Sequence, residues 1–284
     1  MKRILVPTDF SKEASNALNV AIDLATLSGG TITLLHIAEY PVGTALDPIG
    51  VNVPTPYDGD FLDQVKKNSQ EKLEEEVAQL NKNKIEINYV VDWGNPFLGI
   101  SQNIADNDVD IVVMGSKGAS GFRELLIGSN AEKVIRHAKC PVLTVKKYTK
   151  ISEIKSIVFP NNLSDGQEIL IEKIKQLQDL LGAKLHIVRI NTPNNFKRDL
   201  DSIKLLNAFA EKYLFNNYTV NVYNAAYEDE GVIHFAEKIK ADMIAMGTHG
   251  RTGLQHLISG SIAEDIVNHA QRPIWTLCLK KIEH

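Results

Sequence analysis

The apolar positions of this chain change period repeatedly, and each change marks an element. Ile4, Leu5 and Val6 are consecutive and end at Pro7, which predicts a short buried strand over residues 2–6. Thr8-Asp9-Phe10-Ser11 supplies a turn and a helix N-cap, with Glu13 available in the first helical turn. Ala17, Leu18, Ala21, Ile22, Leu24 and Ala25 recur at helical spacing and predict a helix over 15–27, closed by Ser28-Gly29-Gly30. A β-branched strand follows over 31–38. Beyond it the pattern predicts helix 62–81, strand 85–91, helix 97–107, strand 109–114, helix 129–138 and strand 141–146. Pro96 falls near the first turn of the third helix, where its missing N–H costs nothing. Residues 40–61 break the pattern: four prolines, three glycines and no Lys or Arg predict an irregular excursion, a lid or a contact loop.

The same order then recurs. Ser156-Ile157-Val158-Phe159-Pro160 matches Arg3 to Pro7, and Asn161-Asn162-Leu163-Ser164 matches Thr8 to Ser11. Helices are predicted over 167–181, 198–215, 230–239 and 261–270, with strands over 184–190, 219–225, 241–246 and 273–279. The offset between halves is 153 at the first proline (7 to 160) and 132 later (115 to 247), so the first half carries 21 extra residues. The 40–61 excursion accounts for them. Strands alternating with helices predict parallel sheets with right-handed crossovers. The expectation is therefore an α/β chain of two tandem, doubly wound, five-stranded Rossmann-like domains. Their boundaries are 1–147 and 153–284, joined by a short polar segment.

One stretch within the repeat carries the chemistry. Met114-Gly115 begins a Gly-x2-Gly-x9-Gly-Ser pattern through Gly118, Gly128 and Ser129, and Met246-Gly247 begins the same pattern through Gly250, Gly260 and Ser261. Each copy follows the fourth strand, at the carboxyl end where open α/β sheets bind ligands. Glycine there permits positive φ and lets backbone N–H groups approach a ligand. Gly128-Ser129 and Gly260-Ser261 precede a helix whose N-terminal N–H groups and dipole favour an anion. A polyphosphate would fit between the two clusters; a plain tight strand-loop-helix connection is the alternative. No GxxxxGK[ST] and no GxGxxG after the first strand is present, which disfavours a P-loop or a classical NAD site.

Composition narrows the classes further. A net charge of −4 gives no electrostatic footprint for nucleic acid or anionic membrane. No stretch approaches a membrane span, and the opening MKRILVPTDF is too short in apolar residues for a signal-peptide core. Cys140 and Cys278 lack metal-ligand spacing and point to a reducing compartment, the cytoplasm.

At these residues the chain resembles the universal stress protein family in its tandem, ATP-binding form. The resemblance rests on Ile4 to Ser11, on Leu34-Leu35-His36-Ile37, on Val109 to Gly115 and on both glycine motifs. It implies an adenine nucleotide α-hydrolase-like fold and ATP, with or without Mg2+, as ligand. Adenine would lie against Ile37 and, in the second half, Ile190. Ribose would meet Asp9, beside Thr8, and Gly115, beside Met114. Phosphates would meet Gly118, Gly128, Ser129 and Asn130. The matching second-half set is Asn162, Met246, Gly247, Gly250, Gly260, Ser261 and Ile262. Asn162 departs from the pattern, because an amide lacks the charge assistance of Asp9; the first half is expected to bind more tightly.

Catalysis finds no support in the residues. No general base or metal-binding carboxylate pair stands beside the glycines, and Asp110 and Asp242 start their strands at the far end. Lys117, His249 and Arg251 are the nearest cations, as phosphate partners or as exposed loop charges. A regulatory ATP-binding protein with an unidentified protein partner is the leading reading. An interaction module with empty or differently liganded pockets, and a slow ATPase, are the alternatives. In the resembled family the last strand pairs across a two-fold axis. That implies intrachain pairing of residues 142–145 with 274–277, a pseudo-dimer within one chain, and leaves a homodimer open.

Overall fold

The computed structural model describes residues 1–39, 44–46, 52–54, 59–80, 85–116, 127–249 and 259–279. The first half runs β1 (Arg3–Pro7), α1 (Lys12–Ser28), β2 (Thr31–Ala38), β3 (Thr44–Leu46), β4 (Asn52–Pro54), α2 (Gly59–Leu80), β5 (Ile87–Trp93), α3 (Pro96–Asp106), β6 (Ile111–Gly115), α4 (Ser129–His137) and β7 (Val142–Val145). A 3-10 turn at Ile151–Glu153 leads to the second half. This comprises β8 (Ser156–Pro160), α5 (Glu168–Leu181), β9 (Lys184–Asn191), α6 (Asp199–Lys212), β10 (Tyr218–Asn224), α7 (Glu228–Lys238), β11 (Met243–His249), α8 (Ser259–His269) and β12 (Ile274–Leu279).

The predicted caps form. Ser11 adopts extended backbone and its hydroxyl accepts from the Ala14 N–H at 3.2 Å, while Gly29 closes α1 in the left-handed region at φ 60°. Asp110 and Asp242 cap strands, away from the glycine motifs. Asp110 Oδ2 accepts from the Lys2 and Arg3 N–H groups, and Asp242 Oδ2 from those of Lys155 and Ser156. The 40–61 excursion departs from expectation at two points. It contains the antiparallel pair β3–β4, and α2 begins at Gly59, so Phe61 belongs to a helix.

Ten strands form one sheet in the order β10-β9-β8-β11-β12-β7-β6-β1-β2-β5. Within each half the strands are parallel; only β7 and β12 run antiparallel, with Thr144, Leu143 and Val142 opposite Ile274, Trp275 and Thr276. Under the 132-residue offset this register maps onto itself, with Leu143 and Trp275 exchanging places. A local two-fold axis therefore passes through that pair. Side chains obey it: the Thr144 hydroxyl donates to the Ile274 carbonyl at 3.2 Å and the Thr276 hydroxyl to the Val142 carbonyl at 3.4 Å. The expected pairing of the last strands is thus present within one chain.

Apolar side chains fill both faces of the sheet across this seam. Ile4, Leu18, Leu73, Trp275, Leu177 and Leu206 belong to one core, against α1, α2, α5 and α6. Leu5, Ile100, Val134, Val232 and Ile266 belong to the other, against α3, α4, α7 and α8. Adjacent residues Ile4 and Leu5 point to opposite cores, as the period of two requires. The doubly wound arrangement follows.

Candidate nucleotide site

The chain leaves β1 at Pro7 and bends sharply. Phe10 is held at φ 61° and its repeat equivalent Leu163 at φ 62°, a left-handed conformation costly for bulky residues. The cost is met by the same contacts in both halves. The Thr8 hydroxyl accepts from the Phe10 N–H at 3.1 Å, and Asn161 Oδ1 from the Leu163 N–H at 2.6 Å. Asp9 Oδ1 and Asn162 Oδ1 each accept from the serine N–H two residues on, at 3.1 Å. The Phe10 ring packs on His36, centroids 4.5 Å apart. This bend turns Asp9 and Asn162 toward the ends of the central strands. The sequence predicts the turn, but not the left-handed backbone at Phe10 and Leu163.

Across the sheet, the glycine motif closes on itself. The Ser116 N–H donates to the Val145 carbonyl at 3.0 Å, and the Gly128 N–H donates to the Ser116 carbonyl at 2.8 Å. Gly128 is the N-cap of α4, and no side chain of the described residues caps that helix, so its first N–H groups line the cleft without an intrahelical partner. Ser129 is the first helical residue rather than the cap. Gly115 needs correcting. It is not among the positive-φ glycines; it is extended strand, and a Cβ there would lie 2.9 Å from Glu13 Cβ and 3.0 Å from the Glu13 backbone. Its glycine is required by the close approach of α1. Gly247 is likewise not in the left-handed region, and its Cβ would meet Leu170 Cδ2 at 2.8 Å and Leu279 Cδ1 at 3.2 Å.

The result is a cleft of about 390 Å³ in the first half, within the range of small-molecule sites. Thr8, Asp9, Ile37, Met114, Gly115, Gly128, Ser129 and Asn130 all line it. Gly118 lies outside the described residues. The sequence missed Pro96, Ile100 and Glu39, which also line it. It also missed Gly99, where a Cβ would lie 2.6 Å from Ile37 Cδ1, so α3 sits directly on the apolar wall. Gly231 repeats this against Ile190 at 2.5 Å, a duplicated glycine that the repeat alignment could have exposed.

The second-half cleft is smaller, about 150 Å³. Asn162, Ile190, Met246, Gly247 and Ile262 line it; Gly260 and Ser261 lie in the first turn of α8, and Gly250 lies outside the described residues. Three of its lining side chains differ from the first half. Leu279 stands where the first half has Lys147, Leu170 where it has Ala17, and Arg189 where it has His36. Arg189 is 7% exposed; its guanidinium donates to the Asn195 carbonyl at 3.0 Å and the Asn162 carbonyl at 3.4 Å. Gln167 Nε2 donates to Asn162 Oδ1 at 3.2 Å and to the Ser164 hydroxyl at 2.6 Å. Most of these polar groups are thus engaged within the protein, although Arg189 Nε is buried without a hydrogen-bond partner among the described residues. A charged residue in a strand otherwise read as buried was the available signal for Arg189.

A family model described as "Universal stress protein family" matches residues 1–146 and again 153–277. The chain belongs to the universal stress protein family. Universal stress protein Slr1230 of Synechocystis is 23% identical over 290 residues, covering 97% of this chain and 99% of that protein. Universal stress protein MJ0577 of Methanocaldococcus jannaschii is 29% identical over 154 residues, 51% of this chain and 95% of that protein. Among solved structures, a universal stress protein from Archaeoglobus fulgidus superposes with a TM-score of 0.75 at 21% identity, covering 97% of this chain and 98% of that one. That likeness establishes the tandem α/β fold of the family. Among the described residues, no helix is long and apolar enough to cross a membrane, and no three His, Cys, Asp or Glu side chains are grouped to hold a metal.

Proposed function

We propose that the first-half cleft binds an adenine nucleotide, ATP, and that this universal stress protein acts by nucleotide occupancy rather than catalysis. The observation that carries the reading is the convergence of three unlike surfaces on one 390 Å³ cleft. Ile37, Pro96 and Ile100 form an apolar wall suited to a base. Asp9 offers a carboxylate to ribose hydroxyls, and the uncapped N-terminus of α4 offers N–H donors to phosphates. In this reading occupancy alters surface loops, and a protein partner senses them in the cytoplasm. The second half serves chiefly as a built-in pseudo-dimer partner, its own smaller cleft lined by Arg189, Leu170 and Leu279.

Calorimetry on the full chain tests this. Asp9→Asn removes the charge from the ribose hydrogen bond, worth about 1 kcal/mol, so ATP should bind roughly 5-fold more weakly. Asn162→Ala should leave ATP affinity unchanged. No heat of ATP binding in the parent chain, or a larger loss from Asn162→Ala than from Asp9→Asn, refutes the assignment.

A further inference from the structure

Ile127, which leads into the first-half anion cradle, is held by a side chain of the other half. Asn268, in the last turn of α8 and 8% exposed, accepts through Oδ1 from the Ile127 N–H at 2.6 Å. Ile127 immediately precedes Gly128, the N-cap of α4, whose own N–H is tied to the Ser116 carbonyl at 2.8 Å. The cradle is therefore fixed on one side by its own half and on the other by α8. Asn268 is itself anchored: its carbonyl accepts from Lys146 Nζ, at the end of β7.

The arrangement runs one way. By the 132-residue offset, the reciprocal contact would join Arg136 to the Ser259 N–H. A guanidinium has no acceptor and cannot make it. Arg136 instead donates to Glu264 of α8 and pairs with Glu132 at 3.0 Å. Among the described residues, a side chain of the opposite half reaches the residue just before the cradle helix in the first half alone, the half with the larger cleft. The second half is tied differently, the Thr248 hydroxyl donating to the Ile135 carbonyl at 3.4 Å. We propose that Asn268 is a positioning residue for the anion cradle at the start of α4, so that the second half completes the first-half site. The inference rests on the reading of that cleft as a phosphate site.

The test compares Asn268→Leu, which keeps the shape and removes the acceptor, with Asn268→Asp, which keeps both. Asn268→Ser, too short to reach, repeats the test where leucine is not tolerated. In the full chain, ATP should bind about 5- to 10-fold more weakly to the Leu variant. It should bind the Asp variant within about threefold of the parent. Adenosine, which lacks phosphates, should bind all of them within about twofold. Amide exchange at Ile127 in the ligand-free chain should be about tenfold faster in the Leu variant and unchanged in the Asp variant. Equal losses for ATP and adenosine, or unchanged exchange at Ile127, overturn the proposal. If the parent binds neither ligand, the nucleotide reading falls, and exchange at Ile127 alone decides whether Asn268 holds the cradle.

Discussion

Alanine at Gly115 and at Gly247 should have unequal consequences, although the two glycines are repeat equivalents. At Gly115 the new Cβ would lie 2.9 Å from Glu13 Cβ and 3.0 Å from the Glu13 carbonyl carbon and oxygen. Ordinary contact needs several tenths of an ångström more, and the obstacle is helix backbone. Helix α1 must move as a unit, although Ala14, Ala17, Leu18 and Ala21 are fully packed. Overpacking of this kind costs about 1–3 kcal/mol. At Gly247 the nearest atoms are the ends of Leu170 and Leu279, at 2.8 and 3.2 Å, which can change rotamer. The cost there should stay below about 1 kcal/mol. Neither glycine is in the left-handed region, so no backbone strain blurs the comparison. Urea denaturation of the full chain, followed by thermal melts, measures both. Gly115→Ala should lower the melting temperature by roughly 2–4 °C per kcal/mol lost. It should also weaken ATP binding, because Glu13 adjoins Ala14 in the cleft wall. Equal destabilisation, or a larger effect at Gly247, would refute the claim that α1 proximity selects glycine at 115.

Other expectations follow from charge and burial. Burial pushes the Cys140 thiol from 9.0 up to about 12, so it should alkylate far more slowly than Cys278 in the folded chain. Because the folded value lies above the unfolded one, the neutral thiol's contribution is complete below pH 9 and fades as pH rises toward 12. Cys140→Ala should lose that part of the alkaline decline in denaturant stability. Burial pushes the Asp110 carboxyl upward, but hydrogen bonds from the Lys2 and Arg3 N–H groups outweigh it and hold the carboxyl below the usual carboxylate range. Its contribution is present above about pH 4 and is lost as pH falls further. Asp110→Ala should therefore flatten acid unfolding curves. The first-half cleft is lined by Asp9 and Glu39 and by no basic side chain among the described residues. ATP should bind it more tightly with Mg2+ than with excess EDTA, by calorimetry, and equal affinities would count against that placement of the phosphates.

Much of this was legible in residues alone. Alternation of apolar runs with 3.6-residue periodicity located the helices and strands, and Ser11 and Gly29 marked both ends of α1. The glycine spacing marked a strand end and a helix start because both are local, and Gly115 ends β6 while Gly128 caps α4. Other features were not local. The turn after Pro7 was expected, but not that Phe10 and Leu163 would occupy its left-handed positions at φ 61° and 62°. Just before them the Thr8 and Asn161 N–H groups donate to the Leu35 and Val188 carbonyls of β2 and β9, at 2.8 and 2.9 Å. The reason for Gly115 was also misjudged, since a close approach by α1 cannot be told from a positive φ in one sequence.

The sequence by itself determined the duplication, the α/β class and part of the first cleft's lining, because repeats, periods and caps are properties of neighbouring positions. Tertiary structure decided which cleft stays open. Lys147 against Leu279, Ala17 against Leu170 and His36 against Arg189 are all visible as substitutions between the halves. Only their convergence around one cleft, Leu170 and Leu279 beside Gly247, turns three scattered differences into a smaller pocket. Packing across the Leu143–Trp275 axis likewise brought Asn268 to Ile127, 141 residues apart in the chain, a contact that no pattern within one repeat encodes.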